Sequence, residues 1–252
     1  MDKQHNGRLA VVTGAAGEIG REVVARLVAA GAKVLAVDLD PLALQQLEKD
    51  FGSAVKTVVA DVSDEASVQN YAEMAARHGS GKVDLFFNNA GIEGPVAPIT
   101  DQDVNRFDMV MGVNVRGVFL GLKHILRLMG KGGVVVNTAS TAALRGAAGL
   151  SPYIASKHAV LGLTKTAALE VADKGIRVCA VCPGPVEGKM MNRITEKRNA
   201  VQGATAPTPG VGLDGGRLAK VDEIAAAILF LFSDDASFVT GVPFIVDGGR
   251  SA

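Results

Sequence analysis

The chain has 252 residues, 48% of them hydrophobic but only 4% aromatic, with 30 glycines and 9 prolines. Its 26 basic and 26 acidic residues cancel, which leaves no net field to gather a polyanion and argues against nucleic acid or an anionic membrane as partner. The length suits one continuous α/β domain with a Val, Ala, Leu and Ile core, and no apolar run approaches the roughly 20 residues that span a bilayer, so a cytoplasmic protein with a small-molecule ligand is expected.

In chain order, short β-branched runs predict strands at Leu9–Val12, Lys33–Val37, Val55–Ala60, Val83–Phe87, Val134–Asn137, Ile176–Val181 and Pro243–Val246. Longer Ala- and Leu-rich stretches of helical period separate them. Right-handed crossovers then give a doubly wound, seven-stranded parallel sheet of Rossmann type, a three-layer α/β/α single domain over residues 1–252. Residues 185–220, rich in Gly, Pro, Thr and charge, break the rhythm. They leave the carboxyl end of the sixth strand, where such sheets bind ligands, so a substrate-binding lid loop is expected there.

After the first strand, Thr13-Gly14-Ala15-Ala16-Gly17-Glu18-Ile19-Gly20 opens a helix, and a glycine turn in that place lets backbone N–H groups face a pyrophosphate. About twenty residues on, Asp38 ends the second strand, where a carboxylate can accept from the adenosine ribose hydroxyls and would repel a 2′-phosphate. No basic residue stands at Gly17 or Leu39, so NAD is expected over NADP. Helix capping or plain solvation is the other reading of Asp38. Asp61-Val62 and Asn89-Ala90-Gly91 also end strands on the ligand side.

Ser140 follows the fifth strand, and Ser151-Pro152-Tyr153-Ile154-Ala155-Ser156-Lys157 opens a helix. A spacing of four puts Tyr153 and Lys157 on one helical face, where an ammonium can lower the phenol pKa and ready it to exchange a proton with a carbinol oxygen. Taken alone the pair also fits an ordinary surface contact.

With Thr13-Gly14 and Gly20, Asp61-Val62, Asn88-Asn89-Ala90-Gly91, Asn114, Ser140, Tyr153, Lys157 and Pro183-Gly184 in this order, the whole chain resembles the short-chain dehydrogenase/reductase family. The resemblance implies an NAD-dependent oxidoreductase acting on a secondary alcohol or ketone. It implies Tyr153 as general acid/base, Ser140 as the group that positions the substrate oxygen, Lys157 as the nicotinamide-ribose ligand that also lowers the Tyr153 pKa, and Asn114 as the holder of a relay water. Cofactor contacts are implied at Ile19, Val62, Asn89, Ala90, Gly91, Pro183, Gly184 and Val186. The expected pocket wall of Ile92, Glu93, Gly94, Pro95, Ala142, Leu144, Leu150, Pro185, Met190 and Met191 is mostly apolar, which points to an uncharged, hydrophobic substrate, cyclic or aryl by analogy within the family.

Two positions depart from the family pattern. Glu18 stands where a middle glycine is usual: favourable at a helix N-terminus if it faces solvent, repulsive if it faces a pyrophosphate. Gly188 stands where many relatives carry a threonine that binds the nicotinamide carboxamide. The Gly14, Gly17 and Gly20 spacing also matches the family's extended branch of sugar epimerases and dehydratases, although about seventy residues after Pro183 leave little room for their substrate domain. An NADP-dependent carbonyl reductase, a non-catalytic nucleotide-binding regulator and a cofactor-free dehalogenase compete with the NAD-dependent reading. The intact Tyr153 and Lys157 count against the regulator, and the glycine turn counts against the dehalogenase.

No metal site is expected. Cys179 and Cys182, three apart on a strand, should face opposite sides as buried thiols. His5, in the polar tail, and His78, His124 and His158 read as structural or solvent-facing. Helices over Asp103–Gly130 and Pro152–Lys174 are expected to pack against their copies in a homotetramer.

Overall fold

The structure, a computed structural model, describes residues 4–202 and 212–252. Among these, seven parallel strands form one sheet in the order β3-β2-β1-β4-β5-β6-β7. They are β1 (Leu9–Thr13), β2 (Lys33–Asp38), β3 (Val55–Val59), β4 (Leu85–Asn88), β5 (Val134–Thr138), β6 (Arg177–Pro183) and β7 (Pro243–Val246). The order reverses between β1 and β4, and in such sheets the ligand crevice lies there, at the carboxyl ends of the strands.

Side chains alternate across the sheet, so the unbroken apolar runs feed two cores. Val11, Leu35, Phe86, Val135, Val178 and Cys182 face one layer, packed by α3 (Glu65–His78), α5 (Gly117–Ile125) and α6 (Ser151–Glu170). Val12, Ala36, Phe87, Val136, Cys179 and Val181 face the other, packed by α1 (Glu18–Ala29), α2 (Pro41–Phe51) and α9 (Val221–Phe232). The two cysteines are therefore buried free thiols on opposite faces, and burial pushes each up to about 11.

Caps set where helices begin. Asp40 accepts from the Leu42 and Ala43 amides at α2, Asp64 from Ser67 at α3, and Asp103 from Arg106 at α4 (Val104–Met111). A π-helical stretch, Gly112–Arg116, joins α4 to α5.

The region expected as a lid loop contains a fourteen-residue helix, α7 (Lys189–Gln202), and one distorted turn, α8 (Leu213–Gly216), while 203–211 lie outside the described residues. Pro185 O accepts from the Ala219 amide and Ala219 O accepts from Glu187, so the two ends of the region are tied together. The polar N-terminus also needs correction from residue 4 onward, residues 1–3 lying outside the described ones. His5 is buried and its amide donates to Ala30 O.

The continuous helical stretch Val104–Leu128 is long and apolar enough, by length and composition, to cross a membrane, which amends the expectation of no such run. Here it packs on α3 and α6, and Phe107, Met109 and Phe119 remain exposed on it.

Candidate active site

The first strand delivers the glycine turn. Gly14 has φ +62°, open to glycine, and a Cβ there would sit 3.0 Å from Ala90 Cα. A Cβ on Gly20 would collide with Gly14 O, so the helix can start this close to β1 only with glycine in that place. Gly17, the N-cap of α1, brings no side-chain cap. The α1 N-terminus therefore presents first-turn amides beside a glycine turn, which fits a diphosphate, although Glu18 opens the same helix.

Asp38 closes the turn from β2. One carboxylate oxygen accepts from the Ala16 amide at 2.9 Å, and the other from the Leu39 amide at 2.8 Å and the Asp40 amide at 3.2 Å. The carboxylate thus stands at the crevice edge expected for a ribose-binding acid, and it also braces the turn.

Other predicted cofactor residues turn out to bind the protein first. Asp61 accepts from the Ser63 amide and hydroxyl at 2.8 and 2.7 Å. Val62 is buried against Gly117, where a Cβ would sit 2.8 Å from its methyl. Asn89 donates to Thr13 O at 3.1 Å and accepts from the Thr138 hydroxyl at 3.0 Å, while the Asn89 and Ala90 amides both donate to the Thr13 hydroxyl. This cross-stitch holds the ends of β1, β4 and β5 together under the crevice. Gly184 donates to Val246 O and lies against Asp247, Pro183 is the buried last residue of β6, and Val186 bridges to Ala219.

The structure brings Ser140, Tyr153 and Lys157 together between β5 and α6. Ser140 caps the 3-10 turn Thr141–Ala143, its hydroxyl accepting from the Ala142 amide at 3.1 Å. Lys157 Nζ donates to Thr138 O at 2.8 Å and lies 5.5 Å from the Tyr153 ring centre. Burial lowers the Lys157 ammonium to about 8.

The phenol differs from expectation. Burial raises the Tyr153 pKa, against a lowering contribution from the Ser140 hydroxyl, and the Glu93 carboxylate raises it further. Desolvation is the largest contribution, and the lowering one comes from the Ser140 hydroxyl rather than from the Lys157 ammonium.

Asn114, the expected holder of a relay water, makes three hydrogen bonds to the protein. It is fully buried in the π-helical stretch and its side chain is committed: Oδ1 accepts from the Ile92 amide at 2.8 Å, and Nδ2 donates to Ile92 O at 2.9 Å and to Ser156 Oγ at 3.0 Å. It therefore braces the loop after β4, beside Gly91, where a Cβ would lie 3.2 Å from Asn114 Oδ1 and 3.4 Å from Lys157 Nζ.

Of the expected pocket wall, Ala142 and Leu144 come from the turn after Ser140, Leu150 is the buried cap of α6, Pro185 follows β6, and Met190 and Met191 open α7. The expected apolar wall also holds a charge cluster. Glu93, only 6% exposed, accepts from Arg193 Nε at 2.7 Å and Nη2 at 3.2 Å and from Lys197 Nζ at 3.0 Å, both cations on α7. These contacts overcome burial and hold its carboxyl down at about 2. Arg193 and Lys197 went unpredicted, although their i,i+4 spacing was the available signal.

A family model described as enoyl-(acyl carrier protein) reductase matches residues 14–251. The levodione reductase of Leifsonia aquatica is 40% identical over 253 residues, covering 97% of this chain and 94% of that protein. The chain belongs to the short-chain dehydrogenase/reductase family. The cyclohexanol dehydrogenase of an Acinetobacter species (strain SE19) is 36% identical, covering 100% of this chain and 98% of its own length. Among solved structures, that of levodione reductase superposes with TM-score 0.92 at 38% identity over 98% of each chain. NAD+-bound xylitol dehydrogenase does so with TM-score 0.91 at 34% identity, over 98% of this chain and 100% of that one. The chain is thus an oxidoreductase of this family that uses a nicotinamide cofactor.

Proposed function

We propose that the protein interconverts a secondary alcohol and its ketone with NAD(H), and that its substrate is a compact, uncharged, hydrophobic and cyclic molecule. The convergence of Ser140, Tyr153 and Lys157 on one point beside the glycine turn carries this reading. Bound at the turn, a nicotinamide dinucleotide supplies the hydride acceptor or donor. The chain's residues handle the proton and the orientation: the Tyr153 hydroxyl exchanges a proton with the substrate oxygen, the Ser140 hydroxyl holds that oxygen, and Lys157 provides positive charge beneath both.

A raised Tyr153 pKa keeps the phenol protonated at neutral pH, which suits proton donation during ketone reduction. Alcohol oxidation needs the phenolate, so that direction should gain with rising pH. Asp38 supports NAD over NADP, because a carboxylate at the end of β2, held by three amides, would repel a 2′-phosphate bound beside it. The apolar side chains of Ala142, Leu144, Leu150, Pro185, Met190 and Met191 support a hydrophobic substrate. The Glu93 charge is already matched by Arg193 and Lys197 and does not call for a cationic one. The name of the relative that acts on cyclohexanol supports a ring-bearing substrate.

The same reading takes the protein as cytoplasmic and homotetrameric. Exposed Phe107, Met109 and Phe119 on α4 and α5, within the expected Asp103–Gly130 stretch, support contact between copies, and exposed Phe230 on α9 and Ile245 on β7 add apolar surface outside the two helices expected to pack.

The test is reduction of NAD and of NADP in the presence of a panel of secondary alcohols, compared by kcat/KM. NAD should be preferred by roughly tenfold or more, since a carboxylate facing a phosphate costs at least ~1–3 kcal/mol. Asp38→Ala should narrow the gap. Equal use of NADP by the unaltered protein would refute the cofactor assignment.

A further inference from the structure

The two departures from the family pattern, Glu18 and Gly188, meet in space. Glu18 is exposed, but its carboxylate is not left to solvent alone. Its carboxylate crosses to the start of the lid helix and accepts from the Lys189 amide, at 3.0 Å through Oε2 and 3.3 Å through Oε1. Gly188 is the residue before α7, and its carbonyl accepts from the Asn192 amide to begin the helix. A Cβ on Gly188 would collide with the Glu18 carboxylate, and its φ of +144° lies where L side chains rarely go. One turn further on, Arg193 holds Glu93 and also feels the Glu18 charge.

We propose that Glu18 and Gly188 form a positioning pair, in which the carboxylate fills the space left by the absent Gly188 side chain and docks the start of α7 onto the cofactor turn. Three physical terms favour the arrangement. A carboxylate at a helix N-terminus is stabilised by the first-turn amides. Arg193 adds an opposite charge nearby. Aimed at Lys189, the Glu18 charge is also held off the α1 N-terminus, where a diphosphate would meet it. The middle glycine usual at position 18 could make no such contact, and a threonine at 188 would exclude it. Lid and cofactor turn are thereby joined through residues of this chain alone, and Glu93 with Arg193 and Lys197 forms a second attachment on the substrate side. The consequence for the cofactor rests on the proposed binding of NAD(H) at this turn.

The test is a mutant cycle with two readouts on the full-length protein. In the first, amide hydrogen exchange without cofactor, Glu18→Ala should lower protection of the Lys189 amide by about tenfold, the scale of losing a charge-assisted hydrogen bond. Glu18→Gln, which keeps an acceptor oxygen, should retain most of it. Unchanged protection in Glu18→Ala, or equal loss in both variants, would overturn the docking role.

In the second, NADH binding by fluorescence, Gly188→Ala should weaken binding about fivefold or more with Glu18 present, because the new methyl drives the carboxylate back toward the turn. The same change should cost less than about twofold in the Glu18→Gly background. Equal effects in the two backgrounds would reduce Gly188 to a matter of backbone strain and refute the pairing. A native protein that binds no NADH would instead refute the cofactor reading, while the Lys189 amide would still decide the docking.

Discussion

Lys157 links the site to the stability of the fold in a way that titration can measure. Burial takes its ammonium from an ordinary value of 10.5 to about 8, and the residue is only 4% exposed, so solvent screening is slight. Below pH 8 both folded and unfolded chains carry the proton, and the cost of burying the cation is present in full. Between pH 8 and 10.5 the folded protein sheds the proton while the unfolded chain keeps it, so this residue's contribution rises with pH by about 1.4 kcal/mol per unit, reaching about 3 kcal/mol in all. Lys157→Met removes the titration and leaves a side chain of similar length. Denaturant unfolding of both proteins, at one protein concentration and without cofactor, should show Lys157→Met more stable relative to the native chain at pH 7 than at pH 10, the difference shrinking by about 2 kcal/mol or more. The comparison cancels the other groups that titrate in this range and any constant loss of the bond to Thr138 O. A difference that stays flat across the window, or widens with pH, would show that the ammonium is not buried at this cost.

Tyr153→Phe removes one oxygen from a residue held largely by its ring, so folding and NADH binding should survive while turnover falls by at least ~10²-fold; near-normal kcat would remove Tyr153 from the mechanism. Glu93→Gln deletes a charge that raises the Tyr153 pKa, so the alkaline rise in alcohol oxidation should move to lower pH. The same change loosens Arg193 and leaves Lys197 its bond to Gly94 O, and KM for the alcohol should rise more than kcat falls; a pH profile that stays in place would disconnect Glu93 from the phenol. Light scattering at micromolar concentration should give about four times the 25.9 kDa of one chain, and a mass of one chain would contradict the packing assigned to α4, α5 and α9.

Every predicted strand exists, and the inner ones were legible because burial on both faces demands unbroken apolar runs, whereas the edge strands β3 and β7 are partly exposed. The carboxyl ends of the strands were not legible, for a physical reason. β1, β2, β4 and β5 run one residue past the predicted limits into Thr13, Asp38, Asn88 and Thr138, polar residues that reach over the crevice or stitch its floor. Hydropathy stops where the site begins. The helix α7 escaped for a related reason: Lys189–Gln202 packs few apolar residues and carries Lys189, Arg193, Glu196, Lys197 and Arg198, so its order comes from ion pairs with Glu93 and a bond to Glu18, both far away in the chain, rather than from an apolar stripe. The π-helical stretch at Asn114 has no signature in composition at all.

In the site, residue types and their order were legible and partners were not. Tyr153 and Lys157 share a face of α6 as their spacing implied, and Ser140, joined to them in sequence only by the family resemblance, meets the Tyr153 hydroxyl from the turn after β5. The sign of the Tyr153 shift depends on how much water the fold removes, and spacing carries no such information. Glu18 makes the point most sharply. Read along the chain, its carboxylate had two places to go, solvent or the pyrophosphate. The β6–α7 connection supplies a third, an amide 171 residues away, and that place exists only because position 188 has no side chain. Two departures that each look unfavourable against the family pattern therefore have to be judged together, since the space one leaves is the space the other fills.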